Sequence, residues 1–211
     1  MSTTHGDEHL ETILALAFVA EFRDADTSHH LRRISLLSRT LAASAGLDEA
    51  AVALLGLAAP MHDVGQVAIP DDILLKPGAL TPDERRTMQD HTVIGARLLA
   101  RGDTAVLRAG CQIARSHHER WDGRGYPDGL VGDETPLPAR IAGLADVFDA
   151  LVTKRIYRDA LSVEAALAII RQGAGSQFDP ALVDAFFGVQ DEIVAICSGF
   201  SDEDEEEQWV A

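Results

Sequence analysis

Apolar residues recur three and four positions apart through most windows of this 211-residue chain, and no stretch alternates apolar with polar convincingly enough to pair as strands. That spacing gathers apolar groups on one side of a helix, which must then be covered by another helix. Composition agrees. Ala and Leu are abundant while aromatics make up only 5% of residues, which suits close-packed helices better than a sheet sandwich. No internal repeat is visible. The expected fold is all-α and one domain.

The element boundaries have their own chemistry. Residues 10–22 read as a first helix and 27–45 as a second that stops near Gly46. Asp48 reads as the N-cap of a third helix running to about Met61. Thr81-Pro82-Asp83-Glu84 joins a capping hydroxyl, a proline at the first position and the glutamate of a capping box, so a helix starts there and runs to about Ala100. Further helices are expected over 104–118, 138–152, 163–172, 180–187 and 192–197, with a Gly/Pro-rich loop over 120–138. Residues 1–20 read as a helical extension, 21–198 as the domain and 199–211 as an acidic, disordered tail.

The formal charge is −16, concentrated in the run Asp202 to Glu207 but acidic elsewhere as well. A field of that sign opposes duplex nucleic acid, whose binding depends on neutralising phosphates. It does not oppose a small phosphate ligand, since metal cations and a few arginines reverse the potential locally. No apolar run approaches the roughly 20 residues that cross a bilayer, and the start, with His5, Asp7, Glu8 and His9, lacks the cationic region of a signal peptide. The expectation is a cytoplasmic protein that engages no membrane. Cys111 and Cys197 read as free thiols.

The chemistry lies in the histidines. His62-Asp63 interrupts an apolar helical run, and His117-His118 ends another before the loop Glu119-Arg120-Trp121-Asp122-Gly123-Arg124-Gly125-Tyr126-Pro127. Adjacent helical residues project about 100° apart, so such pairs make sense if Asp63 bridges two metals with His62 on one of them, and if the helix end frees both His117 and His118. Asp26 and His30, four apart, share a helical face; His91 lies mid-helix. Asp146 sits in the apolar segment 145–151, where a carboxylate needs a partner. The set is nitrogen and oxygen only, which favours iron, manganese or a similar ion over structural zinc. Such centres activate water, which points to a metal-dependent hydrolase. His5, His9 and His29 read as ordinary surface or core residues.

Together these motifs resemble the HD-GYP family, a branch of the HD phosphohydrolases. The resemblance runs from about Glu21 to Phe187 through Glu21, Asp24, Thr27, His30 and Arg33, then His62-Asp63-Val64-Gly65, Leu75-Lys76-Pro77-Gly78, the intact HHExWDGxGYP loop, 145–151 and Gln177-Phe178-Asp179-Pro180. It implies an HD-domain helical bundle with the HD-GYP extension, and a centre of two or three iron or manganese ions. It also implies hydrolysis of the bacterial messenger cyclic di-GMP to pGpG or GMP. The implied metal ligands are His30, His62, Asp63, His91, His117, His118 and Asp146, with Asp63 bridging. Asp26 stands where trinuclear members carry a glutamate and would serve a third ion. Lys76, Arg155, Arg158 and Tyr126 would contact substrate. A second copy of the chain, a diguanylate cyclase or a response regulator would be its protein partner.

One position departs from the pattern. Gln66 stands where the family carries lysine, and a neutral amide cannot offset charge on phosphoryl oxygens. Two readings follow: a working phosphodiesterase in which Asp63 and Gln66 are catalytic, or a relative that binds cyclic di-GMP or a protein without turnover.

Overall fold

In a computed structural model of the protein, residues 12–13, 15–20, 27–153 and 160–199 are described. Asp26, Arg155, Arg158 and most of the acidic tail lie outside them.

Helices α1 (Thr27–Ser44), α2 (Glu49–Ala58), α3 (Asp71–Leu74), α4 (Pro82–Leu99), α5 (Ala105–Ser116), α6 (Leu137–Val152), α7 (Val163–Gln172), α8 (Pro180–Gly188) and α9 (Gln190–Ser198) follow one another along the chain. Among the described residues no strand ladder forms; Asp122–Val131 and Ala174–Phe178 are isolated bridges. The all-α expectation holds, and the starts are where the capping chemistry placed them. Asp48 accepts a hydrogen bond from the Ala51 amide at 2.8 Å. Thr81 and Glu84 form the full capping box of α4, and Thr104 caps α5. The 120–138 loop contains a short 3-10 turn, Gly132–Glu134, that side-chain spacing did not suggest.

The core is built on α1 and α6. Ile34, Leu37 and Leu41 on α1 are buried, as are Ile141, Leu144 and Phe148 on α6. Phe148 meets Phe186 of α8 edge-to-face, with ring centroids 5.0 Å apart. Each such side chain contributes about 1.5–3 kcal/mol by leaving water. This packing sets α1 against α6, and each brings charged residues to the centre of the fold.

One expectation needs correction. Glu49–Ala68 is long and apolar enough, at mean hydropathy 1.2, to cross a membrane by length and composition. The fold does not use it as a continuous rod. α2 stops at Ala58, and two 3-10 turns, Ala59–Met61 and Val64–Ala68, follow with His62 and Asp63 at their junction. Its apolarity comes from covering α1 and lining the centre of the molecule.

Candidate metal centre

The break between those turns explains how neighbours serve one site. Asp63 has φ −104° and ψ 10°, outside the helical well, so its side chain and that of His62 no longer diverge as on a regular helix. Gly65 then lets the second turn lie on the backbone of α4: a Cβ there would stand 1.9 Å from the His91 carbonyl oxygen. Gly143 does the same for α6, where a Cβ would stand 2.4 Å from the carbonyl oxygen of His117. Asp146 follows Gly143 by one turn. Two missing methyl groups thus bring the carboxylates of Asp63 and Asp146 to the histidines of α4 and α5.

The side chains form two groups, Asp63 with His91, His117 and His118, and His30 with His62 and Asp146. Within each, one ligand atom per residue lies within 4.8 Å of the others. Asp63 faces both. Its Oδ1 is 3.1 Å from His91 Nε2 and 3.3 Å from His117 Nε2, while its Oδ2 is 3.6 Å from His62 Nε2. Asp146 Oδ1 closes the other side, 3.8 Å from His62 Nε2 and 3.9 Å from His30 Nε2. Two donors each about 2.1 Å from a common cation, at ordinary coordination angles, stand about 3.0–3.4 Å apart. The Asp63–His91–His117 spacings meet this directly, and the other group is somewhat wider.

The buried atoms make the same point. His62 Nε2, His91 Nε2, His117 Nε2 and Asp63 Oδ1 are enclosed by protein and accept or donate no hydrogen bond. Unsatisfied buried polar atoms are costly, and four converging on one place fit metal ions.

The opposite ring nitrogens are fixed. His62 Nδ1 donates to the Ala59 carbonyl at 3.2 Å, His91 Nδ1 to Met88 at 2.7 Å and His117 Nδ1 to Ile113 at 3.0 Å. A carbonyl only accepts, so each Nδ1 holds the proton and each Nε2 presents a lone pair to the centre. His30 Nδ1 is held instead by Asp149 Oδ2 at 2.7 Å, and Asp149 also accepts from Arg33 Nε at 2.5 Å. Arg33 is 1% exposed and Asp149 fully buried. The sequence argument that a charge in segment 145–151 needs a partner applied to Asp149 as much as to Asp146, but nothing in the sequence named Arg33 and His30 as the partners.

The electrostatics suit ligation. Burial pulls His62 down to about 4, against the opposing pull of Asp63 and Asp146. Burial, then the neighbouring His117, holds His118 well below the ordinary histidine range. Both are therefore neutral at pH 7, as ligands must be. Burial also lowers His91, but Asp63 beside it outweighs burial and the net shift is upward. Burial works against the Asp63 carboxylate, yet His62 and His91 keep it well below its usual range. Asp149 is likewise kept ionised, at about 2, because His30 and Arg33 outweigh its burial.

The loop after His118 is tied down from beneath. Glu119 accepts from the backbone amides of Asp128, Gly129 and Leu130 at 2.7, 3.1 and 3.2 Å. Arg115 adds a bidentate pair to Asp128 at 2.7 and 2.8 Å. Tyr126 is thereby set beside His118, ring centroids 4.8 Å apart, with His91 at 6.5 Å. Burial raises its phenol, so it stays protonated. Gln66 Nε2 donates to Asp63 Oδ2 at 2.5 Å. Lys76, expected to contact substrate, is engaged by Glu84 at 2.6 and 2.8 Å, inside the capping box of α4. The expected roles of Asp26, Arg155 and Arg158 lie outside the described residues.

A family profile described as HD domain matches residues 15–182. The cyclic di-GMP phosphodiesterase response regulator RpfG of Xanthomonas campestris is 47% identical over 191 residues, covering 90% of this chain and 50% of its own. The 3'3'-cGAMP-specific phosphodiesterase 2 of Vibrio cholerae is 40% identical over 192 residues, covering 91% and 37%. Among solved structures, an HD-GYP-type protein of Bdellovibrio bacteriovorus, Bd1817, superimposes with a TM-score of 0.60 at 22% identity, over 78% of this chain and 52% of its own. The chain spans about half the length of such relatives.

Proposed function

The chain belongs to the HD domain family, in its HD-GYP branch, and from that premise we propose that it is a metal-dependent phosphodiesterase that hydrolyses cyclic di-GMP to pGpG or GMP. One observation carries this reading: a single carboxylate, Asp63, turns one oxygen to each of two histidine groups, and Nε2 of His62, His91 and His117 is buried there without a hydrogen-bond partner. Two ions, iron or manganese, would be held by His91, His117 and His118 on one side and His30, His62 and Asp146 on the other, with Asp63 shared. Such ions acidify water and offset charge on phosphoryl oxygens.

The chain's own groups prepare that chemistry. Backbone carbonyls and Asp149 fix the imidazole tautomers of His62, His91, His117 and His30, so these rings present Nε2 to the centre without reorienting. Tyr126, held protonated beside His118, offers a phenolic donor and an aromatic face at the rim of the centre, suited to a guanine or a phosphate oxygen. Arg155 and Arg158 are the proposed phosphate clamp, since guanidinium pairs with phosphate in bidentate fashion. Asp26 is the proposed additional ligand if a third ion binds. A cytoplasmic location suits an intracellular messenger as substrate.

The relatives' names favour turnover over a purely binding role. They also raise a second substrate, because a relative named for 3'3'-cGAMP is 40% identical to this chain. The test is single-turnover incubation of reduced, Mn²⁺- or Fe²⁺-loaded protein with cyclic di-GMP and, separately, with 3'3'-cGAMP. Linear products from cyclic di-GMP, absent after chelation, are expected. Intact cyclic di-GMP with cleaved 3'3'-cGAMP would reassign the substrate, and two intact nucleotides would end the hydrolase reading.

A further inference from the structure

Gln66 lies in the 3-10 turn that follows Asp63, and its amide donates to Asp63 Oδ2 at 2.5 Å. That oxygen faces His62; Asp63 Oδ1, which faces His91 and His117, has no hydrogen-bond donor. The two oxygens of the shared carboxylate are therefore treated differently by the protein. A carboxylate oxygen has two acceptor directions, so Oδ2 can serve Gln66 and a cation together. With Gln66 in place, rotation of the carboxylate about its Cβ–Cγ bond breaks a hydrogen bond. Without it, Oδ2 has no tether on the His30–His62–Asp146 side, where the donors already stand farthest apart, at 3.6–3.9 Å.

We infer that Gln66 is a positioning residue that selectively strengthens divalent-cation binding in the His30–His62–Asp146 half of the centre, by holding Asp63 Oδ2 toward it. The inference rests on the metal-centre reading above and adds an asymmetry to it. Partners that orient a ligand typically contribute 10–100-fold in metal affinity. The amide is also neutral, so it orients Asp63 without placing a positive charge beside the cations.

Calorimetric titration of metal-stripped protein with Mn²⁺ alone, checked by elemental analysis, reads the inference without any substrate. Wild type is expected to bind in two resolvable steps. Gln66→Leu, which keeps the bulk and removes the donor, should weaken one step by about 10–100-fold and leave the other unchanged. His30→Ala should abolish that same step, which assigns it to the correct half. Gln66→Lys restores a donor but adds a cation, and should weaken both steps. Gln66 is half-buried in a short 3-10 turn, so far-UV circular dichroism and thermal unfolding of the metal-free variants should match wild type. If Gln66→Leu binds as wild type does, or loses both steps equally, the selective role is wrong. If wild type binds no Mn²⁺, the metal-centre reading itself fails.

Discussion

The two halves of the centre are built by different means. In the half made by His91, His117 and His118, the orienting bonds of His91 and His117 go to carbonyls three and four residues back on their own helices. In the half made by His30, His62 and Asp146, His62 is oriented in the same local way by Ala59, but the orienting partner of His30 is Asp149, 119 residues away, itself held by the buried Arg33. Both halves need packed helices, but in the first the orienting bonds stay within α4 and α5, whereas in the second the bond to His30 crosses from α6 to α1. Local geometry tolerates change elsewhere in the protein, whereas a site assembled through tertiary packing is as good as that packing.

Four perturbations probe this contrast, in falling order of effect. Asp63→Asn should cripple both halves at once, with a loss of turnover exceeding the roughly 10²–10³-fold typical of one electrostatic group; retention of either Mn²⁺-binding step would show that the carboxylate is not shared. Asp149→Asn should strike the second half alone. It removes the carboxylate charge that His30 and Arg33 both engage, and should weaken the His30 step while sparing the other. Equal damage to both steps would mean that the halves are coupled through the fold. Gly65→Ala reverses the target: its Cβ would meet the His91 carbonyl, so the turn must shift, costing about 1–3 kcal/mol and loosening the first half most. Denaturant unfolding and metal titration on the same samples read both effects.

The smallest of the four concerns pH. The Asp149 carboxyl is depressed to about 2 in the folded protein, so its contribution is complete above the ordinary carboxylate range near pH 4 and is lost as pH falls toward 2. In metal-free protein this should remove on the order of 2 kcal/mol over that window, and the step should be missing from Asp149→Asn. Urea unfolding at stepped pH measures it; identical profiles for the two proteins would deny Asp149 its charged pairing.

The same contrast marks what the sequence made legible. His62-Asp63, His91 and His117-His118 could be read as ligands because pairs and helical register are local facts, and the capping box of Thr81 and Glu84 fixed where α4 begins. His30 was read through its spacing from Asp26, and Asp146 as a carboxylate in an apolar segment that needs a partner. Arg33 and Asp149 were quoted within motifs, yet their pairing depends on which helix faces which, and spacing along the chain does not encode that. The turn at Asp63 was hidden for a related reason: the run from Glu49 to Ala68 is apolar throughout, and periodicity cannot show where such a run bends. Lys76 marks another limit. A motif suggested substrate, and spacing along the chain did not show that Glu84 also holds its ammonium.

His117 occupies the C-cap of α5, and this has a further effect. The peptide dipoles of a helix add along its axis and leave a fractional negative charge at its carboxyl end, favourable to a nearby cation by about 0.3–1 kcal/mol. α5 therefore contributes to cation binding as a whole helix, through its backbone, before either histidine at its end forms a bond. No substitution of a side chain removes that contribution, and it opposes any anion that would take a cation's place at the end of α5.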